Sequence, residues 1–219
     1  MGGAAFLAVL LLLAVPLGAY LAKVFTGEPT LLRPLISPLE SICYRVCGAN
    51  PAEEMSWCSY ARAALAVSLC GLAVLYLILR TQAWLPLNPQ HFPNVNPLIA
   101  WNTAVSFATT TDWQFYSGES TMSYLSQMAG LAWQQFMAGA IGLAVCVAVV
   151  RGFARSSASG LGNFWVDLTR SLLYVLAPLC IVFTLAFVSQ GIPKFFTLPH
   201  RNERRAIYAK HHRRTDGVF

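Results

Sequence analysis

A run of polar side chains interrupts a strongly apolar chain at residues 107–120, FATTTDWQFYSGES. Thr109–Thr111 place three hydroxyls side by side, and Asp112 and Gln114 add a carboxylate and an amide. In an extended segment, successive backbone carbonyls and threonine hydroxyls can face a dehydrated cation and replace its hydration shell. These residue types therefore predict cation coordination, although three consecutive threonines are by themselves a weak motif.

The composition excludes an ordinary soluble domain. Of the 219 residues, 56% are hydrophobic and 11% are charged, whereas charged residues make up about 25% of a typical soluble domain. The mean hydropathy is +0.54. Four apolar segments have roughly the length that a bilayer-spanning helix requires: Ala4–Phe25, Ala61–Leu79, Ser123–Val150 and Phe164–Val188. We therefore predict an all-α membrane protein with four transmembrane helices, the last of them kinked at Pro178.

The first apolar segment has two interpretations, a retained helix and a signal peptide. A signal peptide requires a basic region before its apolar core, but the first basic residue is Lys23. The sequence therefore favours a helix that stays in the protein.

The connection after the first segment contains a candidate surface helix. Ser37-Pro38 resembles an N-cap followed by a proline at the first helical position. Leu39, Ile42, Cys43 and Val46 then recur with the spacing of one helix face. This pattern predicts a short amphipathic helix that lies on the membrane surface or on a partner.

A fifth apolar segment, Pro97–Phe107, is too short to cross a bilayer. If it enters the membrane, the chain must turn back through the polar stretch before the third long segment begins. Non-helical backbone at membrane depth is tolerated only where it lines a watery cavity or is buried in protein. Residues 97–122 are thus predicted to form a re-entrant pore helix and filter loop. An ordinary loop outside the membrane is the alternative.

Basic residues predict the orientation of the four helices, because Lys and Arg are enriched in cytoplasmic connections. The first connection and its flanks hold Lys23, Arg33, Arg45 and Arg62, and the third holds Arg151 and Arg155. The second connection, residues 81–122, holds neither Lys nor Arg. We therefore expect the second connection and the N-terminus to face outside.

Many separate sequence motifs carry a resemblance to one family, and they occur in its order and spacing. They are LPLNPQ (85–90), WNTAVSF (101–107), WQ (113–114), YSGE (116–119), YLSQM (124–128), RGFAR (151–155), LGN (161–163), WVDL (165–168) and VSQG (188–191). From about Phe6 to Phe196, the chain resembles the potassium-binding A subunit of the bacterial Kdp-type potassium-transporting P-type ATPase.

The resemblance implies a place in an ATP-driven potassium uptake complex of the bacterial inner (cell) membrane. Family members are built like a potassium channel, from four helix–pore loop–helix repeats in one chain. They work with an ATP-hydrolysing B subunit and smaller C and F subunits, and with K⁺ as the transported ion. This chain contains no nucleophile–base pair, phosphate-binding loop or phosphorylated-aspartate motif. We therefore expect a non-hydrolysing subunit, with no nucleic acid among its partners.

The resemblance also implies which residues form the filter. The first filter strand of the family usually reads Thr-Asn-Thr-Asn-Trp-Gln. Four of its six positions match here, namely Thr109, Thr111, Trp113 and Gln114. Thr110 and Asp112 each replace an asparagine. Coordination by backbone carbonyls tolerates such changes, whereas the Asp112 carboxylate would add negative charge at the pore entrance.

The last residues, 197–219, differ in character from the rest. They contain six Lys/Arg and two Asp/Glu, against nine and seven in residues 1–196. The predicted topology places this basic tail outside, whereas basic segments next to membrane spans usually lie on the cytoplasmic side. A frameshift or early termination would explain the tail, and a lineage-specific extension is the alternative. A transport-inactive fragment is therefore a second functional hypothesis, and a small channel made of four copies is a third.

Two smaller sets of residues have simple interpretations. The six cysteines form no metal-binding pattern and are expected to act as small apolar side chains. Asp167 and Arg170 are three residues apart near the end of the fourth segment, which predicts a local ion pair or a partner contact.

Overall fold

The computed structural model describes residues 2–155 and 160–190, and this described part is helical without strands. Within this described part, residues 2–155 and 160–180 belong to one compact unit, and residues 181–190 lie outside it. The α-helices are α1 (Gly2–Thr26), α2 (Arg33–Cys47), α3 (Trp57–Thr81), α4 (Pro97–Ala108), α5 (Gly118–Thr121), α6 (Trp133–Ala154), α7 (Phe164–Arg170) and α8 (Ala177–Ser189). Two π-helical segments, π1 (Ser126–Ala132) and π2 (Ser171–Leu176), lead into α6 and α8.

Among the described residues, four helices are long and apolar enough to cross a membrane, which confirms the predicted number. They are Ala5–Thr26, Trp57–Thr81, Ser126–Ala154 and Phe164–Ser189, of 22, 25, 29 and 26 residues. Most of their surface is exposed, and Leu12 and Val15 of α1 are 73% and 76% accessible. Apolar side chains exposed along whole helices fit a lipid environment rather than water.

The start of α2 differs from the prediction. The helix begins at Arg33, with Pro34 in its first turn, and Pro38 lies inside it, so Ser37 is not the N-cap. The N-cap, Leu32, makes no side-chain hydrogen bond. Packing explains the longer helix, because Leu32 and the buried Ile36 contact an apolar cluster that includes Phe25 at the end of α1.

The fourth span contains a wide π-helical turn before its proline. Pro178 lies in the first turn of α8 and has no backbone N–H for the preceding turn. The segment π2 ends two residues earlier, at Leu176. The helical pitch thus changes just before this proline, and the kink at Pro178 stays a prediction.

Two apolar clusters fix the relative positions of the helices that matter for the polar stretch. One joins α3, α6 and α7 around Tyr60, Ala144 and Phe164. The other joins α3 to α4 around Leu75, Leu79 and Ala104. The short helix α4 therefore packs beside a long span and does not lie apart on the surface. The depth of α4 in a bilayer remains a prediction.

The predicted orientation can be tested by labelling. In a variant without native cysteines, single cysteines at Gln90 and Glu119 should react with an impermeant thiol reagent added outside. Both positions belong to the second connection, which lacks cationic residues. Reaction of a cysteine at Arg33, with protection at Gln90 and Glu119, would reverse the orientation. Thr215, for which we also predict labelling from outside, lies beyond the described residues.

Candidate functional site

Helix α4 positions the polar stretch at its C-terminal end. Its N-cap is Asn96, whose side chain accepts a hydrogen bond from the Leu98 N–H at 3.0 Å, and Pro97 occupies the first turn. Five of its twelve residues are buried, including Ser106 at 0% exposure. The partial negative charge at a helix C-terminus favours a cation, and here that end faces the Thr109–Thr111 segment.

The carbonyl oxygen of Ser106 anchors the start of this segment. It accepts hydrogen bonds from the backbone N–H groups of Thr111 and Asp112, at 3.1 and 3.5 Å. The hydroxyls of Thr109 and Thr111 also donate to it, at 3.3 and 3.2 Å. One buried carbonyl thus holds residues 109–112 against the end of α4.

This anchoring fixes the direction of two backbone carbonyls. In a trans peptide unit the C=O points opposite to the N–H. Since the N–H groups of Thr111 and Asp112 both point at Ser106, the carbonyls of Thr110 and Thr111 both point away from it. Within the described chain, no hydrogen-bond donor reaches either carbonyl. Two neighbouring carbonyl oxygens are therefore free on one side of the strand.

Backbone strain accompanies this arrangement. Thr110 and Asp112 have left-handed φ values of 56° and 52°, which β-branched residues such as threonine rarely adopt. Asparagine and aspartate tolerate the left-handed region better. The two positions where the sequence departs from the family's usual asparagines are thus the two that have positive φ.

The other predicted site residues have different surroundings. The Asp112 carboxylate accepts a hydrogen bond from the Gln135 side chain of α6 at 2.7 Å. The carbonyl of Trp113 accepts one from the Ser106 hydroxyl at 3.0 Å and so faces α4. Gln114 is exposed, as are Thr109–Asp112. The structure brings the predicted residues into one strand but leaves that strand open on its far side.

Sequence reasoning missed Gln82, a fully buried side chain at the end of α3. Its amide nitrogen donates to the carbonyls of Pro93 and Thr121, at 2.7 and 2.9 Å. Its amide oxygen accepts from the Ser123 N–H and the Ser126 hydroxyl, at 3.2 and 2.9 Å. Gln82 therefore ties the segments before α4 and after the polar stretch to the same helix end. The sequence offered one indication of this structural role: Gln82 directly follows an apolar run and precedes a proline-rich loop.

We expect Gln82→Leu to lower the free energy of unfolding by about 2–3 kcal/mol, because each buried group left without a partner costs about 1–3 kcal/mol. Denaturant titration in detergent micelles would measure the loss. Gln90→Leu is the matched control, since Gln90 makes no side-chain hydrogen bond to the described residues. Equal losses in the two variants would show that the Gln82 network is not stabilising.

A second polar cluster lies at the opposite ends of α3 and α6, and it changes the predicted pairing of Asp167. Arg151 binds the Asp167 carboxylate through both terminal nitrogens, at 2.5 and 2.9 Å, and the Tyr60 hydroxyl also lies 3.1 Å from it. The Asp167 side chain is 1% exposed. The predicted pair with Arg170 does not form, because Arg151 lies on the neighbouring helix and points at the inner face of α7.

Arg170 instead reaches helix α2. Its Nε lies 3.3 Å from the Glu40 carboxylate, which also accepts hydrogen bonds from the Tyr44 and Tyr174 hydroxyls. Burial raises the pKa of Glu40, but these three hydrogen bonds and the Arg170 charge outweigh it, so the pKa lies below its usual value. Arg151 and Arg170 both donate to the Phe25 carbonyl, at 3.1 and 3.3 Å. The cluster thus holds the end of α1 as well as α2.

Residue types that bind transition metals are dispersed. Among residues 2–155 and 160–190, no three His, Cys, Asp or Glu side chains come together as a metal site. All six cysteines are free, and five of them are exposed.

The fold and this geometry define a class of protein: its described part is all-helical, with four helices that can span a bilayer and a polar segment held at the C-terminal end of the short helix α4. Residues 4–212 match the family model described as the potassium-transporting ATPase A subunit. The chain belongs to this family.

Curated relatives agree with the family match. The chain is 54% identical to a potassium-transporting ATPase potassium-binding subunit of Ralstonia pickettii, over 193 residues that are 88% of this chain and 32% of the relative. It is 52% identical to proteins of the same name from Solidesulfovibrio magneticus and Pseudomonas aeruginosa, over 88% of this chain and 33% and 34% of the relatives. The chain thus spans about a third of their length.

The family match covers only part of the basic tail at residues 197–219. It extends to residue 212, past the boundary at Phe196 that the sequence predicts, and the structure does not describe residues 191–219. A change of reading frame after Phe196 therefore stays a hypothesis. The nucleotide sequence after that codon tests it.

Proposed function

We propose that residues 97–122 form a re-entrant pore helix and one strand of a potassium filter. The strand coordinates K⁺ through backbone carbonyls and the side chains of Thr109, Thr110, Thr111, Asp112 and Gln114. It works within an ATP-driven potassium uptake complex of the bacterial inner membrane. The B, C and F subunits of that complex are the partners, and the B subunit hydrolyses ATP.

One observation carries the proposal: the free carbonyls of Thr110 and Thr111 lie on the same side of a strand whose N–H groups are bound to Ser106. A row of carbonyl oxygens aimed one way is what a dehydrated potassium ion requires. The alternation of φ sign, with Thr109 at −97° and Thr110 at +56°, supports this reading. Alternating right- and left-handed residues turn successive N–H groups to one side, and the carbonyls then face the other.

Charge adds support from two sources. The C-terminal end of α4 contributes partial negative charge close to the free carbonyls. The Asp112 carboxylate, held by Gln135, contributes a full charge at the side of the strand. Neither Lys nor Arg occurs between Arg80 and Arg151, so this part of the sequence carries no fixed positive charge from those residues.

The filter role predicts the effect of a new positive charge. In a chimera of residues 1–190 with the remaining sequence of a full-length relative, Gln114→Arg should weaken the apparent potassium affinity at least about tenfold. That factor corresponds to about 1.4 kcal/mol. This is a modest repulsion between an arginine side chain and a potassium ion that lie a few ångströms apart. The measurement is the potassium dependence of ATPase activity in the assembled complex.

The control for this experiment is Gln90→Arg, which adds the same charge in the same connection but outside the strand. It should leave the potassium dependence within about twofold of the unsubstituted chimera, because Gln90 is not one of the proposed coordinating residues and salt screens charges that do not contact the site. If both variants behave alike, or if Gln114→Arg has no effect, Gln114 does not belong to the potassium site.

A further inference from the structure

Helix α2 carries a row of exposed apolar side chains. Leu35, Leu39, Ile42 and Val46 are 77%, 52%, 56% and 80% exposed. At 3.6 residues per turn they fall within about 60° of one another around the helix. A continuous apolar row of this kind marks a surface that something else covers.

A second side of α2, about a quarter to a third of a turn from the apolar row, is fixed to the bundle. Ile36 is buried in the cluster that contains Val24 and Phe25, the last turn of α1. Glu40 binds Arg170 and Tyr174. Since α1 ends at Thr26 and α3 begins at Trp57, the intervening α2 lies where two spanning helices end. If those helices cross a bilayer, α2 is at the height of its surface.

A third side of α2 is polar. Ser41 and Arg45 are exposed, and they lie about a third and about a quarter of a turn from the middle of the apolar row. Around its circumference, α2 therefore presents a protein-bound side, an apolar side and a polar side. A helix lying in the plane of a membrane surface at the edge of a bundle requires these three sides.

The surrounding charge complements a lipid leaflet. Four basic residues at this end make no ion pair within the described chain: Lys23, Arg33, Arg45 and Arg62. The acidic residues in the same connection that make no ion pair there are Glu28 and Glu53. The excess positive charge favours the head groups of anionic lipids.

We propose that α2 is an in-plane membrane anchor. Its row of Leu35, Leu39, Ile42 and Val46 inserts into the acyl region of the leaflet, and Arg45 lies among the head groups. Glu40 and Arg170 couple this anchor to the fourth span. The occupant of the apolar face is therefore lipid and not another protein surface.

Spin-label depth measurements test the anchor in the complete chain. A variant without native cysteines is reconstituted in nanodiscs of phosphatidylcholine and phosphatidylglycerol, with one nitroxide at Leu39 and, in a matched sample, at Ser41. The Leu39 label should lie about 5–10 Å below the head groups and collide mainly with oxygen. The Ser41 label should collide mainly with a water-soluble nickel chelate. Both positions are exposed, so labelling does not disturb the core.

Two results would overturn the proposal. Equal access of the nickel chelate to both labels would place the apolar row in water. Protection of the Leu39 label from both oxygen and the chelate would mean that protein covers the row, for example a second copy of the chain. The test does not depend on potassium, so its outcome is separate from that of the filter proposal.

Discussion

The 219-residue chain, expressed with the other pump subunits in cells lacking high-affinity potassium uptake, should not restore growth at limiting potassium. A selective filter needs several carbonyl strands around one axis, so that their oxygens together replace the hydration shell of the ion. In the proposed filter the described chain supplies one such strand, in which no donor of the described chain reaches the carbonyls of Thr110 and Thr111. The family resemblance implies four. A single strand leaves most of the coordination shell to water.

The chimera described above provides the control for this experiment. Residues 1–190 followed by the remaining sequence of a full-length relative should restore growth, because the other repeats then complete the ring. Growth restored by the 219-residue chain itself, and abolished by Gln114→Arg, would contradict the expectation. That outcome would favour a symmetric channel made of four copies. If neither the 219-residue chain nor the chimera restores growth, this strand does not function together with the remaining repeats of a relative.

Asp167→Ala should be the most destabilising single substitution among the ion pairs. Removing one partner of a buried pair leaves an uncompensated charge and costs about 3–5 kcal/mol. Asp167 is 1% exposed and holds Arg151 with two hydrogen bonds. The loss would be measured as the change in the free energy of unfolding in detergent micelles.

Two further variants separate the buried charge from other effects. Glu54→Ala breaks the exposed pair with Arg155, whose side chains are 49% and 43% accessible, and should cost about 0–1 kcal/mol. The double variant Arg151→Met, Asp167→Leu removes both buried charges and should lose less stability than Asp167→Ala. A loss for Asp167→Ala no larger than that of Glu54→Ala would show that the buried pair contributes little.

The number of long apolar helices could be read from the sequence because it depends on local composition. Segments that remain apolar over bilayer length, such as those around α1 and α3, have few alternatives to a spanning helix. The apolar segment Pro97–Phe107 ends one residue before α4 does, because the change from apolar to polar residues is a local property of the sequence. The family, too, could be recognised from short motifs in order, and the comparisons confirm it.

The pairing of charged and amide side chains depended on tertiary structure. Asp167 and Arg170 are neighbours in sequence, yet each binds a residue more than ten positions away in the chain. Sequence spacing predicts contacts within one helix, whereas the choice between partners depends on which neighbouring helix offers a charge at the buried face. Gln82 was missed for the same reason, because its four hydrogen-bond partners come from two segments that lie 11 and about 40 residues further along the chain.

For the polar strand, the sequence by itself determined the chemistry: hydroxyls, a carboxylate and an amide directly after a short helix. Only the tertiary structure decided which carbonyls are free, because that depends on the Ser106 carbonyl gathering the N–H groups of Thr111 and Asp112. The positive φ values of Thr110 and Asp112 accompany this anchoring. They could not be inferred from the residue types, because threonine usually avoids the left-handed region and aspartate only tolerates it. Side-chain types are local properties of a sequence, but the direction of a backbone carbonyl is set by the contacts that hold its peptide unit.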